Sequence, residues 1–136
     1  MLFSFDTQIF LEVLLHGEST PFNITNDKQA PSALADEGAM RLASDAAIAR
    51  DPRTSCKWQS FVNRQHLMMY SFRQAMAKLA VVGNDKSKMV DCSSLIPVPV
   101  PPVQGKHATY PATKSFADVE KNCHRPFPSL ATDREL

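Results

Sequence analysis

Apolar residues recur along the first 84 positions at close to helical spacing, and three elements follow from them. Over 6–16, Ile9, Phe10, Val13 and Leu14 share an arc of about 140° on a helical projection. Leu11 and Leu15 widen that arc. The spacing predicts a short helix buried on most sides, with Asp6 as its N-cap and Gly17 just past its end. A buried strand over 9–15 is the competing reading of so short an apolar run.

A turn-rich connector over 17–31 carries Pro21, Asn23, Asn26, Asp27 and Pro31. A second helix is predicted over 33–50, with Ser32 at its N-cap. Asp36 and Glu37 suit its first turns and Arg50 its last, as the helix dipole prefers. Glu37 and Arg41 are spaced to pair one turn apart. The segment is rich in alanine and includes Gly38, so a neighbour could approach it closely.

Asp51-Pro52 stops that helix, and Thr54 or Ser55 can cap a third, predicted over 55–82. Trp58, Phe61, Val62, Met68, Met69, Phe72, Met76 and Leu79 fall within about 120° of one another there, with Gln65 the one polar residue at the centre. A helix of roughly 25 residues would span about 37 Å. Gly83-Asn84-Asp85 supplies residues that tolerate a left-handed stop.

The pattern changes after residue 84. The run Pro97-Val98-Pro99-Val100-Pro101-Pro102-Val103 excludes a helix and nearly excludes a central strand, because proline cannot donate to a ladder. Polyproline II or an edge strand remains. One short helix is predicted from Ser115 to about Asn122, capped by Ser115 with Asp118 three residues on. Leu95, Ile96, Tyr110, Phe116, Val119, Phe127 and Leu130 are spread out, as in a strap laid on a surface. A solvated linker would hold fewer apolar residues. The expectation is a mainly α fold: a small three-helix body over 1–84 and an extended, Pro-rich tail or arm over 85–136.

Composition adds limits. A length of 136 residues suits one domain. With 43% hydrophobic and 21% charged residues, wholesale disorder is excluded. No stretch offers the roughly 18 apolar residues that a membrane span needs. The net charge of +1 excludes a histone-like polycation but hides an asymmetry. Residues 1–40 hold one basic and six acidic side chains, whereas 50–88 hold eight basic ones against Asp51 and Asp85.

Asp6 and Glu12 interrupt the apolar start and no basic residue precedes it, so no secretory leader is expected. Cys56, Cys92 and Cys123 form an odd, widely spaced set, which does not read as a disulfide framework. A reducing compartment follows, either the cytoplasm or the interior of a virus particle. Without a leader, the glycosylation pattern Asn23-Ile24-Thr25 carries no weight.

Candidate chemistry is sparse. Lys57, Arg64 and Lys78 lie within about 60° beside the apolar stripe, and Arg73 lies at its opposite edge. Such a face can meet phosphates or an acidic protein. The stretch 46–62 loosely resembles a helix-turn-helix, although its turn contains no glycine. Pro99-Val100-Pro101-Pro102 satisfies a minimal proline docking pattern, but no basic residue flanks it. Cys92, His107, Cys123 and His124 are potential zinc donors without the usual paired spacing, so no metal site is assigned to them. None of the cysteines stands in a catalytic context. Glu12 and His16, one turn apart, suit a salt link, and the four glycines are too far apart for a phosphate loop.

These readings point to a non-enzymatic interaction or structural protein with no cofactor, an accessory subunit of a larger cellular or viral assembly. It would bind a larger protein or copies of itself through Lys57, Arg64, Arg73, Lys78, Pro97, Pro99, Pro101 and Pro102. The alternative is a small nucleic-acid-binding regulator using the basic face of 50–88.

Overall fold

A computed structural model describes residues 6–23, 27–97 and 107–133. The fold is mainly α. In chain order the regular elements are α1 (Gln8–Glu12), β1 (Gln29–Ala30), β2 (Arg41–Leu42), α2 (Ala43–Arg50), α3 (Ser55–Gln59) and α4 (Gln65–Leu79). β1 and β2 pair antiparallel, Gln29 with Leu42 and Ala30 with Arg41. Short 3-10 turns occur at Pro21–Asn23, Lys86–Lys88, Ser93–Leu95 and Phe116–Asp118. No helix among the described residues is long and apolar enough to cross a membrane.

Each predicted helix exists in part, and the shortfalls have local causes. The N-cap of the first helix is Thr7, one residue after the expected Asp6, although Asp6 Oδ1 still accepts from the Gln8 amide at 3.0 Å. Regular helix stops at Glu12 because the chain beyond is taken up by the tail. Leu15 forms an antiparallel bridge with Val119. His16 N–H donates to the Asp118 carbonyl at 2.7 Å, and Glu120 N–H donates to the Leu14 carbonyl at 2.8 Å.

Gly17 is needed for closeness. A Cβ there would sit 2.5 Å from the carbonyl carbon of Ser32 and 2.6 Å from the Pro31 oxygen. The two chain segments cross in contact, as the 2.7 Å hydrogen bond from the Ser32 N–H to the Ser19 carbonyl shows.

The second helix begins at Ala43, ten residues after its predicted start at 33. Ser32 accepts from the Leu34 amide as expected of a cap, but the next residues form only a turn, closed by Ala39 N–H to the Leu34 carbonyl. Gly38 takes φ 78°, a left-handed value that ends the winding. The third predicted helix is two helices. Asn63, at φ 56°, separates α3 from α4, and asparagine is among the few residues that adopt this conformation readily. The short tail helix shrinks to Phe116–Asp118, yet it keeps the predicted cap: Ser115 and Asp118 complete a reciprocal capping box.

The core is built from both ends of the chain. Leu11, Val13, Leu14 and Leu15 bury against Ala49 and Val62, and Ala108 and Tyr110 join them from the tail. Trp58, Val119, Phe127 and Leu130 pack on its margin. Each fully buried leucine contributes roughly 1.5–3 kcal/mol relative to exposure. Of the apolar stripe predicted over 55–82, Val62 and Met68 are buried. Phe72, Met76 and Leu79 are exposed by 50%, 45% and 62%, so the far half of α4 lacks cover.

Candidate functional site

Two features stand out from the core. The first is an open cleft of about 640 Å³ where α1, α3 and α4 meet. Ile9, Phe10, Phe61, Met68, Phe72 and Ala75 supply its apolar walls, while Asp6, Lys57 and Ser71 supply polar groups. The aromatic wall is fixed from behind. Phe10 packs on Trp58 and Phe61, with ring centroids 5.0 Å apart in both pairs. The Trp58 indole N–H donates to the Phe10 carbonyl at 3.0 Å.

The second feature is the strap formed by 107–133, pinned along the body. The Gln8 side chain bonds both ways with the Thr109 backbone. Asn63 Oδ1 lies 2.9 Å from His107 Nδ1 and accepts from the Ala108 amide at 3.2 Å. Gln59 Nε2 donates to the carbonyls of Arg125 and Pro126. Glu120 takes Arg50 Nη2 on one carboxylate oxygen and His16 Nδ1 on the other, each at 2.6 Å. These contacts hold the Glu120 carboxyl below the ordinary glutamate range, His16 contributing most. A disulfide joins Cys56 at α3 to Cys123 in the strap, with Cα atoms 4.7 Å apart.

That disulfide corrects the reading of the cysteines. Two of the three pair across 67 residues, and Cys92 is free and exposed. The pairing could not be read from an odd count. Cys56, Cys123 and His124 form the one cluster of three potential ligands among the described residues, and the disulfide occupies both sulfurs. The four tail donors are not gathered: Cys92 stands in an exposed stretch, and His107 faces Asn63.

The predicted partner-binding residues are distributed over separate elements. Lys57 projects from α3 into the cleft, donating to Ser71 Oγ at 3.3 Å and lying 4.8 Å from the Phe61 ring centroid. Arg64 is the N-cap of α4, and Lys78 lies in its last turn. The Arg73 guanidinium lies over Tyr70, 5.9 Å from the ring centroid. The break at Asn63 means that angles on one cylinder no longer relate Lys57 to Arg73 and Lys78. Pro97 is exposed, and Pro99, Pro101 and Pro102 lie outside the described residues.

The expected local pairs give way to distant ones. His16 meets Glu120 and Glu18, not Glu12. Arg41 is buried and donates to the carbonyls of Glu12 and Leu15, satisfying the end of α1 instead of pairing with Glu37.

Comparison with known proteins gives this arrangement a context. Residues 67–135 match the fungal peroxidase extension region. The chain is 50% identical to manganese peroxidase H4 of Phanerodontia chrysosporium, over 96% of this chain and 36% of that protein. It is 48% identical to manganese peroxidase 2 of Phlebia radiata, over 96% of this chain and 35% of that protein. With versatile peroxidase VPS1 of Pleurotus eryngii, identity is 45% over 96% of this chain and 35% of that protein. The chain thus spans about a third of the length of the curated relatives it matches.

These similarities overturn the functional expectations. A non-enzymatic, structural subunit does not stand, nor does a nucleic-acid-binding regulator, because the relatives are peroxidases. Location in the cytoplasm or a virus particle fails with them: the matched region is fungal, and the disulfide suits an oxidising compartment. A stretch equal to about a third of the relatives' length need not contain an enzyme's catalytic motifs, so their absence from it is no argument against an enzyme.

Proposed function

This chain belongs to the fungal peroxidase extension family, and on that premise we propose that it works as part of a peroxidase. A peroxidase reduces a peroxide with electrons drawn from a second substrate. The reducing substrate we assign is Mn(II), on the strength of the relatives that are 50% and 48% identical and named manganese peroxidases. One hydrogen peroxide, two protons and two Mn(II) ions then yield two waters and two Mn(III) ions.

Within that enzyme the described residues serve as a wall and a brace. The helices present the apolar cleft and the uncovered half of α4, and the strap over 107–133 lies back against them. Every residue from 82 to 97 is exposed, including Val90 at 83% and Leu95 at 82%. So much apolar surface needs cover, and the larger protein partner that supplies it is the remainder of a peroxidase. The pinned strap keeps α1 and α3 in register behind the cleft. The observation that carries this reading is the match running from α4 through the strap.

The test is peroxide-dependent formation of a Mn(III) chelate by the complete polypeptide purified from its source. Turnover with Mn(II) supports the assignment. Turnover with phenolic substrates alone would replace Mn(II) as the substrate, and no peroxide-dependent oxidation of either would overturn the peroxidase reading.

A further inference from the structure

Where the strap meets α3, three donor atoms of the kind that bind thiophilic metals come together. Cys56 Sγ, Cys123 Sγ and His124 Nδ1 lie within 4.8 Å of one another, and Nδ1 is 4.0 Å from Cys56 Sγ. Sulfur and nitrogen on one tetrahedral zinc stand about 3.5 Å apart, given bonds of about 2.3 and 2.0 Å. We propose that, once the disulfide is reduced, these three atoms bind one thiophilic divalent cation, Zn(II) or Cd(II), which then holds the strap to α3 in the disulfide's place. This does not rest on the peroxidase reading.

Reduction breaks the S–S bond. A dithiol supplies two electrons and two protons and closes to its own disulfide. The two thiols then release their protons to water as the cation binds, and His124 ligates as the neutral imidazole. The ligand atoms stay together without the S–S bond because the strap is pinned on both sides of them. On one side, the Asn122 side chain donates to the Arg50 carbonyl. On the other, Gln59 Nε2 donates to the carbonyls of Arg125 and Pro126 at 3.1 and 3.0 Å. Cys56 and Gln59 both belong to α3, so one helix positions the sulfur and the pin. The Arg125 amide donates to Cys123 Sγ at 3.4 Å, and Lys121 Nζ donates to the carbonyls of Cys123 and Arg125. An amide donor and a nearby cation both favour the thiolate, the form that ligates. Cys123 is buried and His124 is exposed, which leaves water as the fourth ligand.

The experiment is Cd(II) titration of the complete polypeptide carrying Cys92→Ser, before and after reduction by a phosphine, read by the ultraviolet thiolate-to-cadmium absorption. The phosphine leaves as its oxide, taking its oxygen from water, and does not compete for the cation as a dithiol would. The reduced protein should take up one more Cd(II) than its Cys56→Ser form, and the unreduced protein should take up none that the Cys56→Ser substitution removes. Loss of an outer-shell partner already costs about 10–100-fold in metal affinity, so His124→Ala, which keeps both sulfurs and the disulfide, should weaken binding at least about tenfold. Trypsin cleavage after Lys121 should slow when Cd(II) is added to the reduced protein. Equal uptake by the reduced protein and its Cys56→Ser form would overturn the proposal. So would an unchanged affinity in His124→Ala, or cleavage after Lys121 that ignores Cd(II).

Discussion

The side-chain amide of Gln8 pairs with the backbone of Thr109 across 101 residues, donating from Nε2 to the carbonyl at 2.9 Å and accepting at Oε1 from the amide at 3.0 Å. It acts as one rung of a ladder, joining the first helix to the start of the strap. Gln8→Ala removes both bonds and leaves two half-buried backbone groups without partners. The expected loss is about 1–3 kcal/mol of unfolding free energy, measured by urea denaturation. A loss within experimental scatter would show that water replaces the rung at no cost.

The Cys56–Cys123 disulfide ties the other end of the strap to α3. Of the cysteines in this sequence, an alkylating reagent should label Cys92 alone while the chain is folded and unreduced. After reduction and unfolding it should label all three cysteines, as mass spectrometry can count. Replacing both Cys56 and Cys123 by serine should cost about 2–5 kcal/mol, chiefly by freeing the unfolded chain. Labelling of Cys56 or Cys123 in the unreduced chain would contradict the pairing.

Much of the helical content was legible in the sequence, because it rests on local spacing. The capping box at Ser115 and Asp118 was legible for the same reason, its two partners being three residues apart. The breaks at Gly38 and Asn63 were not: helix-favouring alanines flank Gly38, the apolar stripe runs on past Asn63, and only the backbone angle reveals each stop. The seating of the strap was the least legible. Leu15 meets Val119 and Arg50 meets Glu120 only once the chain has folded, and nothing local to either residue announces its partner. The cleft shared this fate. One long helix would place Phe61 and Phe72 in a single row, whereas the break sets Phe61 in the connection before α4 and Phe72 on α4, on the lining of one opening.

Gly17 offers a sharp test of the crossing between the segment after α1 and the connector. A methyl group there would fall within 2.7 Å of three backbone atoms of Pro31 and Ser32, which no side-chain rotation can relieve. Gly17→Ala should therefore cost about 1–3 kcal/mol, the usual range for overpacking. Gly83→Ala differs in cause: nothing lies within 4 Å, and its cost of about 1 kcal/mol would come from a positive φ of 77°. Thermal unfolding of the two variants should differ in one further respect. Gly17→Ala should also loosen the Ser19–Ser32 bridge, seen as faster amide exchange at Ser32, and Gly83→Ala should leave that amide unchanged.

Two glutamates should shape stability in acid with opposite signs. Glu120 has a lowered folded pKa, from its bonds to His16 and then Arg50. Its contribution is present above the ordinary glutamate value of about 4.3 and is lost as pH falls through the lower folded value. Because the group is partly exposed, the contribution is about 1 kcal/mol or less. Glu12 is the reverse: burial raises its pKa, with Asp6 and Glu37 adding to the effect and a Gln8 hydrogen bond opposing it. Its folded form holds the proton more tightly than the unfolded chain does, so ionised Glu12 costs stability at neutral pH, and that cost disappears on acidification. Unfolding free energy measured from about pH 7 down to about pH 3 should therefore fall less steeply in Glu120→Gln than in the native chain, and more steeply in Glu12→Gln. Glu12→Gln should also be the more stable of the two variants at neutral pH. If both substitutions changed the acid limb in the same direction, the assignment of burial to Glu12 and of ion pairing to Glu120 would be wrong.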